Sequence, residues 1–336
     1  MTEPFEAIAP PAACPRCGTG LAPGLLRCPA CRSLAYADTL ARLSAEASEA
    51  AAEGRLAEAA GRWHAALSLL PADAAQRPAI ERRLEELGAR MERGEGRRTA
   101  QPSAGRRSVW AAAGAGVLFL LTKGKVLLLA LTKGGALLSL FAFLGLYWRE
   151  WGWALAAGLV VSIYLHELGH VVSLWRYRIP VSAPMFVPGI GAYVRHGVLP
   201  TARIGARVAL AGPLAGLLTA LAALALGALT GDRYWGAIAH LGAILNLFNL
   251  VPVWQLDGAR AVAPLARSQR LVYGLLLAAV AAASRDPFAV IVALTTAGAL
   301  VFLPRSRGED RGAVLQAAAI ILGLGAVLLL DVGSHL

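Results

Sequence analysis

The start of the chain lacks a secretory signal. Residues 1–13 are acidic and rich in proline and alanine, with neither a basic start nor the apolar core that such signals carry. We therefore expect the polar N-terminal region to remain in the cytosol. The rest of the chain is then expected to be integral to a bacterial-type cytoplasmic membrane, crossing it several times.

Cysteine is also scarce, and its four copies form two Cys-x-x-Cys pairs, Cys14 with Cys17 and Cys28 with Cys31. A reducing cytosol disfavours disulfides and leaves thiols available for metal. Two such pairs can close a tetrahedral zinc site of four thiolates. We predict a structural zinc ribbon, because so short a fold needs a metal to hold it. The alternative is a set of redox-active or incidental thiols.

Acidic residues are fewer than basic ones, 21 against 32, and the formal net charge is +11. The arginines lie mainly at the ends of apolar segments and in one linker. That placement is typical of topology determinants and of contact with anionic lipid. We therefore expect the lipid bilayer, and no nucleic acid, as the partner of the basic residues.

Hydrophobic residues make up 57% of the 336 residues, and the mean hydropathy is +0.57. Such values favour a multi-span membrane protein. Residues 1–108 are mixed and charged, whereas 109–336 are mostly Leu, Ala, Val and Gly. We predict a mainly α fold, a polytopic membrane bundle of about seven spans (six to eight). A small β-element is expected between core spans, and a cytosolic zinc ribbon and helical hairpin before them.

The sequence divides into six predicted parts. The hairpin resembles one tetratricopeptide unit, with an alanine-rich spacer as the plainer interpretation. In chain order the parts are a zinc ribbon (1–35), a helical hairpin (36–93), a flexible basic linker (94–108), re-entrant or membrane segments (109–148), a core (149–265) and C-terminal membrane helices (266–336).

The core holds three ionisable residues within one apolar span, in the run His166-Glu167-Leu168-Gly169-His170. Such groups are costly in a membrane and indicate function. On a helix the two histidines lie one turn apart on the same face, where they can share a zinc ion. Glu167 is then suited to contact a zinc-bound water.

A third zinc ligand must come from another segment, and Asp257 is the best candidate. It follows Pro252, which interrupts a helix, and it lies near the end of a later apolar block. His240 lies in that same block; the ordinary interpretation is a hydrogen bond between helices, and the alternative is a side chain that faces the cavity.

These motifs, H-E-L-G-H at 166–170 and N-L-V-P-V-W-Q-L-D-G at 249–258, together resemble the site-2 protease family of intramembrane zinc metalloproteases. Residues 185–193 are similar to that family's membrane-associated β-element, and residues 211–216 to the small-residue motif of its next core span. The resemblance covers about 150–265. It does not include the zinc ribbon or the hairpin, and no PDZ-like insert is present.

The resemblance implies a zinc endopeptidase with one catalytic zinc besides the structural one. Its implied metal ligands are His166, His170 and Asp257. Glu167 would be the general base, and Asn249 a second catalytic group that donates to or positions the substrate.

The resemblance further implies that substrate binds by strand addition at Gly189, Gly191 and Tyr193. The expected substrate is a membrane-embedded protein with a single span. A protein regulator is expected at the cytosolic N-terminal region.

Two other functions compete with this prediction. Prenyl-protein peptidases also use H-E-x-x-H, but they take a downstream Glu as third ligand, whereas this chain offers L-D-G. A catalytically silent membrane scaffold or zinc-handling protein could instead recruit partners through the ribbon and the hairpin. Glu167 argues against the scaffold, since a scaffold has no need of a general base.

Overall fold

The computed structural model describes residues 10–95, 135–187, 191–253, 255–303 and 308–331. Most of the predicted linker (94–108), and residues 109–134 of the predicted re-entrant or membrane segments, lie outside these residues. The chain divides into two compact units. The first comprises Met1–Ser103, Tyr177–Pro180 and Gly197–Ile204, and the second Ala104–Arg176, Val181–His196 and Gly205–Leu336.

Three helices, α1 (Ala37–Ala52), α2 (Leu56–Ser68) and α3 (Arg77–Glu92), dominate the first unit. All three helices lie within the region predicted as a helical hairpin (36–93). Gly54 ends α1 with a φ of +77°, a value that favours glycine. Helix α2 packs between α1 and α3, and buried alanines let α1 and α2 approach closely.

The same unit includes a later segment of the chain. His64 on α2 places Nε2 3.0 Å from the carbonyl oxygen of Pro200. On α3, Gly88 faces Thr201 so closely that a Cβ at position 88 would lie 2.6 Å from Thr201 Cγ2. The helical hairpin therefore packs on the segment that leads into the next long helix.

Eight helices follow from residue 135 within the described residues. Their ends match local signals: Asp286 caps one helix by accepting hydrogen bonds from the amides of Phe288 and Ala289. In chain order they are α4 (Gly135–Trp151), α5 (Trp153–Arg176), α6 (Ala202–Thr230), α7 (Tyr234–Asn249), α8 (Asp257–Ala261), α9 (Arg267–Ser284), α10 (Pro287–Phe302) and α11 (Arg311–Asp331).

Three of these helices, α5, α6 and α11, are long and apolar enough to cross a membrane, and α10 is a shorter apolar helix. The mainly helical architecture agrees with the prediction. The described residues include three candidate membrane spans, whereas the sequence predicted about seven in the whole chain. Buried residues of α6 to α11 form one continuous apolar core.

The predicted β-element is a two-stranded antiparallel hairpin, β1 (Met185–Val187) with β2 (Gly191–Tyr193). Its register pairs Met185 with Tyr193 and Val187 with Gly191. Phe186 is buried, and its ring centroid lies 5.7 Å from that of Phe143 on α4 and 6.4 Å from that of Tyr164 on α5. The strands thus pack beside the helix that carries the two histidines.

Candidate active site

The two histidines of the motif lie inside α5, one turn apart and both buried. Their Nε2 atoms are 3.2 Å from each other. On the far side of each ring, Nδ1 has a hydrogen-bond acceptor: Asn246 Oδ1 at 2.7 Å for His166, and the carbonyl oxygen of Val208 at 2.9 Å for His170. Each ring therefore donates through Nδ1 and directs the lone pair of Nε2 toward the other.

Asp257 completes this group from 91 residues away in sequence. Its Oδ2 lies 3.1 Å from His166 Nε2 and 3.3 Å from His170 Nε2. The three ligand atoms therefore form a nearly equilateral triangle with edges of 3.1–3.3 Å. We name the side chains of His166, His170 and Asp257 the His-His-Asp cluster.

The His-His-Asp cluster fits a tetrahedral zinc ion. Ligand atoms at 2.0–2.1 Å from zinc, with tetrahedral angles, are separated by about 3.3 Å, which matches the edges of the triangle. Two neutral imidazoles and a carboxylate are also a donor set that zinc prefers. Three protein ligands leave a fourth position open, as in catalytic rather than structural zinc sites.

The position of Asp257 depends on a tight turn after α7. Helix α7 ends at Asn249, ahead of Pro252 as the sequence predicted, and Asp257 begins the short helix α8. Gly258 packs against the backbone of Leu250, where a Cβ would overlap the carbonyl group. From α9, buried Tyr273 donates a hydrogen bond to that same Leu250 carbonyl oxygen. The glycine of L-D-G thus lets the turn close.

Glycines of α6 leave the room that the cluster needs. A Cβ on Gly212 would overlap His170 Nε2 and lie 2.7 Å from His166 Nε2. A Cβ on Gly216 would overlap the amide of Asn246. On α5, Gly169 faces the backbone of Ala211 just as closely. The small-residue motif at 211–216 therefore lies directly against the predicted metal ligands.

Glu167 is buried beside the cluster, with 6% of its surface exposed. Within the part of the chain that the structure describes, no side chain or amide forms a hydrogen bond with its carboxylate. It therefore stays available for a small molecule held at the cluster, and its role as general base stays a prediction.

The remaining predicted residues belong to the end of α7 and to the β-hairpin. Asn249 is half-buried at the end of α7, and its catalytic role stays a prediction. Gly191 and Tyr193 lie on β2, with Tyr193 40% exposed. Gly189 lies outside the described residues.

Asn246 is a site residue that the sequence reasoning missed. It lies one turn before Asn249 on α7 and is almost fully buried, in contact with His166. A polar amide in the last turn of an apolar helix was the available signal. On the same helix, His240 Nε2 lies 3.1 Å from Asp286 Oδ2. This contact agrees with the interpretation of His240 as a residue that forms a hydrogen bond between helices.

The four cysteines form a second cluster, which resembles a zinc ribbon. Their sulfurs all lie within 4.8 Å of one another, and the Cys14–Cys31 and Cys17–Cys28 pairs are each 3.6 Å apart. Thiolates on a tetrahedral zinc are about 3.8 Å apart, so the cluster fits that ion. A hydrogen bond with Ser33 lowers the pKa of the Cys14 thiol to about 6, whereas the pKa of the Cys28 thiol is raised to about 11, so the fit to zinc rests on the distances between the sulfurs.

Among curated proteins, the chain is similar to "Putative zinc metalloprotease Rip2" from two strains of Mycobacterium tuberculosis. The chain is 31% identical to it over an alignment 145 positions long, and the match covers 32% of this chain and 55% of the relative. The chain is homologous to Rip2. It matches only about half of that relative's length. No family model matches the chain, and no solved structure does.

Proposed function

We propose that this chain is an intramembrane zinc metalloprotease of the site-2 type, which hydrolyses peptide bonds of membrane-embedded proteins. The observation that carries the proposal is the triangle of His166, His170 and Asp257 with Glu167 buried beside it. Two of its three ligands, His166 and His170, lie on a helix long and apolar enough to cross a membrane. Homology to Rip2, named a zinc metalloprotease, supports the same reaction class.

In the proposed reaction, the His-His-Asp cluster holds the zinc. Zinc at such a site supplies Lewis-acid polarisation of a carbonyl group and of water. Glu167 takes a proton from the attacking water and later gives one to the leaving amine. Burial of its carboxylate keeps the proton transfer away from bulk water.

The β1–β2 hairpin is the proposed substrate site. A helical substrate hides its peptide bonds in its own hydrogen bonds, so it must unwind before hydrolysis. An extended substrate segment could then add to the hairpin through Gly189, Gly191 and Tyr193. Asn249 would position the substrate carbonyl at the end of α7. A single-span protein of the cytoplasmic membrane is the proposed substrate, and the N-terminal region the proposed regulator site.

The decisive test is Glu167→Gln in the purified full-length protein. We expect loss of cleavage of a single-span reporter in proteoliposomes, with zinc content unchanged because the substitution leaves the three ligands intact. Glu150→Gln, which alters an exposed carboxylate at the end of α4, is the control and is expected to cleave at the wild-type rate. Cleavage by Glu167→Gln at the wild-type rate would refute the proposal and favour the scaffold.

The same substitution identifies the substrate. Membrane proteomes from cells with wild-type or Glu167→Gln protein are compared, and we expect a full-length single-span protein to accumulate with the variant. An accumulated soluble protein instead would contradict the proposed substrate class.

A further inference from the structure

A buried amide lies behind the first histidine of the cluster. Asn246 is 2% exposed, and its Oδ1 accepts from His166 Nδ1 at 2.7 Å. Its Nδ2 donates to the carbonyl oxygen of Gly242 at 2.7 Å. Both ends of the amide are therefore engaged, one by its own helix and one by a predicted metal ligand.

These two contacts determine which end of the amide faces the histidine. A backbone carbonyl can only accept, so the NH₂ group must face Gly242 and the oxygen must face His166. The ring of His166 then carries its proton on Nδ1. Its Nε2 is left with a free lone pair, directed at the position where His170 and Asp257 converge.

The amide also has no room to move. Helix α6 passes directly behind it, and a Cβ on Gly216 would overlap the Asn246 side chain. On its own helix, Asn246 is fixed by the bond to Gly242 one turn earlier. The ring of His166 is thus held in one plane by an acceptor that is itself fixed from two sides.

We propose that Asn246 is a positioning residue for the zinc ligand His166, holding its ring and its tautomer ready for the metal. This inference rests on the proposed function for the identity of the metal. Outer partners of metal-bound histidines commonly change metal affinity by about 10–100-fold when they are removed. Asn246 acts through His166 and has no contact with the reacting atoms in this proposal.

The test measures metal binding rather than proteolysis. Zinc affinity of the purified full-length protein is determined by competition with a chelator, and cobalt is used to separate the two sites. Because cobalt held by cysteine thiolates absorbs in the visible as well as in the near ultraviolet, the titration is made in a Cys28→Ser background, where the visible bands report the His-His-Asp cluster. We expect Asn246→Leu to lower affinity at the cluster by about 10–100-fold.

Two further variants distinguish positioning from packing. Asn246→Asp keeps an acceptor for His166 Nδ1 but loses the donor to the Gly242 carbonyl, so we expect its affinity to lie between those of Asn246→Leu and wild type. Gly216→Ala should lower affinity as Asn246→Leu does, because the new methyl group displaces the amide. Asn249→Leu is the matched control, the same change one turn along, and should leave zinc affinity unchanged.

Wild-type affinity in Asn246→Leu would overturn the inference, as would equal losses in the Asp and Leu variants. Failure of the proposed function has a different signature. Suppose that Asn246→Leu loses more metal than Asn246→Asp, but that neither the wild-type protein nor any variant cleaves a reporter. Asn246 then still positions a metal ligand, and the protease proposal is wrong.

Discussion

The most direct test of the geometry is Gly212→Ala, which adds one methyl group where α6 passes the two imidazoles. The new Cβ would overlap His170 Nε2 and lie 2.7 Å from His166 Nε2. Non-bonded heavy atoms prefer about 3.5 Å, so the His166 ring would have to retreat by about 0.8 Å. Metal–ligand distances tolerate only about 0.2 Å.

The required displacement is therefore about four times what a zinc site tolerates. We expect Gly212→Ala to lose zinc from the His-His-Asp cluster and to lose cleavage with it, while the cysteine cluster keeps its metal. Metal content by elemental analysis and affinity by chelator competition check this. Gly298→Ala is the control, at a helical glycine of α10 where an added Cβ would meet no atom within 4 Å.

Two results would contradict the expectation for Gly212→Ala. A Gly212→Ala protein with wild-type zinc affinity and wild-type cleavage would mean that α6 does not lie against the ligands. Loss of activity in Gly298→Ala to the same degree would mean that any added methyl group in the helices disturbs the protein, and the specific argument from Gly212 would fail.

Three other substitutions have defined outcomes. Tyr273→Phe leaves the buried carbonyl of Leu250 without its donor, so we expect unfolding to be easier by about 1–3 kcal/mol, measured by denaturation in detergent. Cys28→Ser should lower bound zinc from two ions per chain to one, measured by elemental analysis, and two ions would refute the four-thiolate site. Gly88→Val should push Thr201 away and speed proteolysis of the adjoining segment, and unchanged digestion would contradict that contact.

The spacing of the histidines was predictable because helix geometry alone places residues four apart on one face. Asp257 could be predicted as their partner from the resemblance and from the cost of an acid in an apolar region. Asp257 reaches the histidines because the turn before it closes, with Gly258 packed against the backbone of Leu250. No sequence pattern predicts that packing.

The choice between two asparagines shows where prediction from sequence ends. Asn246 and Asn249 are three residues apart, so they lie about 60° apart around α7 and about 4.5 Å apart along it. Helical periodicity therefore places both asparagines on nearly the same face of α7. Only the depth at which α7 packs beside α5 decides that Asn246 contacts His166.

The glycines of α6 were predicted as part of a small-residue motif, a pattern typical of closely packed membrane helices. What the pattern could not indicate is the neighbour that each glycine faces. Gly212 faces imidazole nitrogens and Gly216 faces an amide. The small residues therefore make room for the polar side chains of the site as well as for the close approach of two helices.

The discontinuity of the first unit has a consequence for the order of folding. Its helices are synthesised early, but Tyr177–Pro180 follows only after α4 and α5, and Gly197–Ile204 only after the β-hairpin as well. Contacts such as His64 with Pro200 therefore form late in translation and close a long loop. A recombinant fragment that stops at residue 103 would lack these pieces and leave the faces of His64 and Gly88 uncovered.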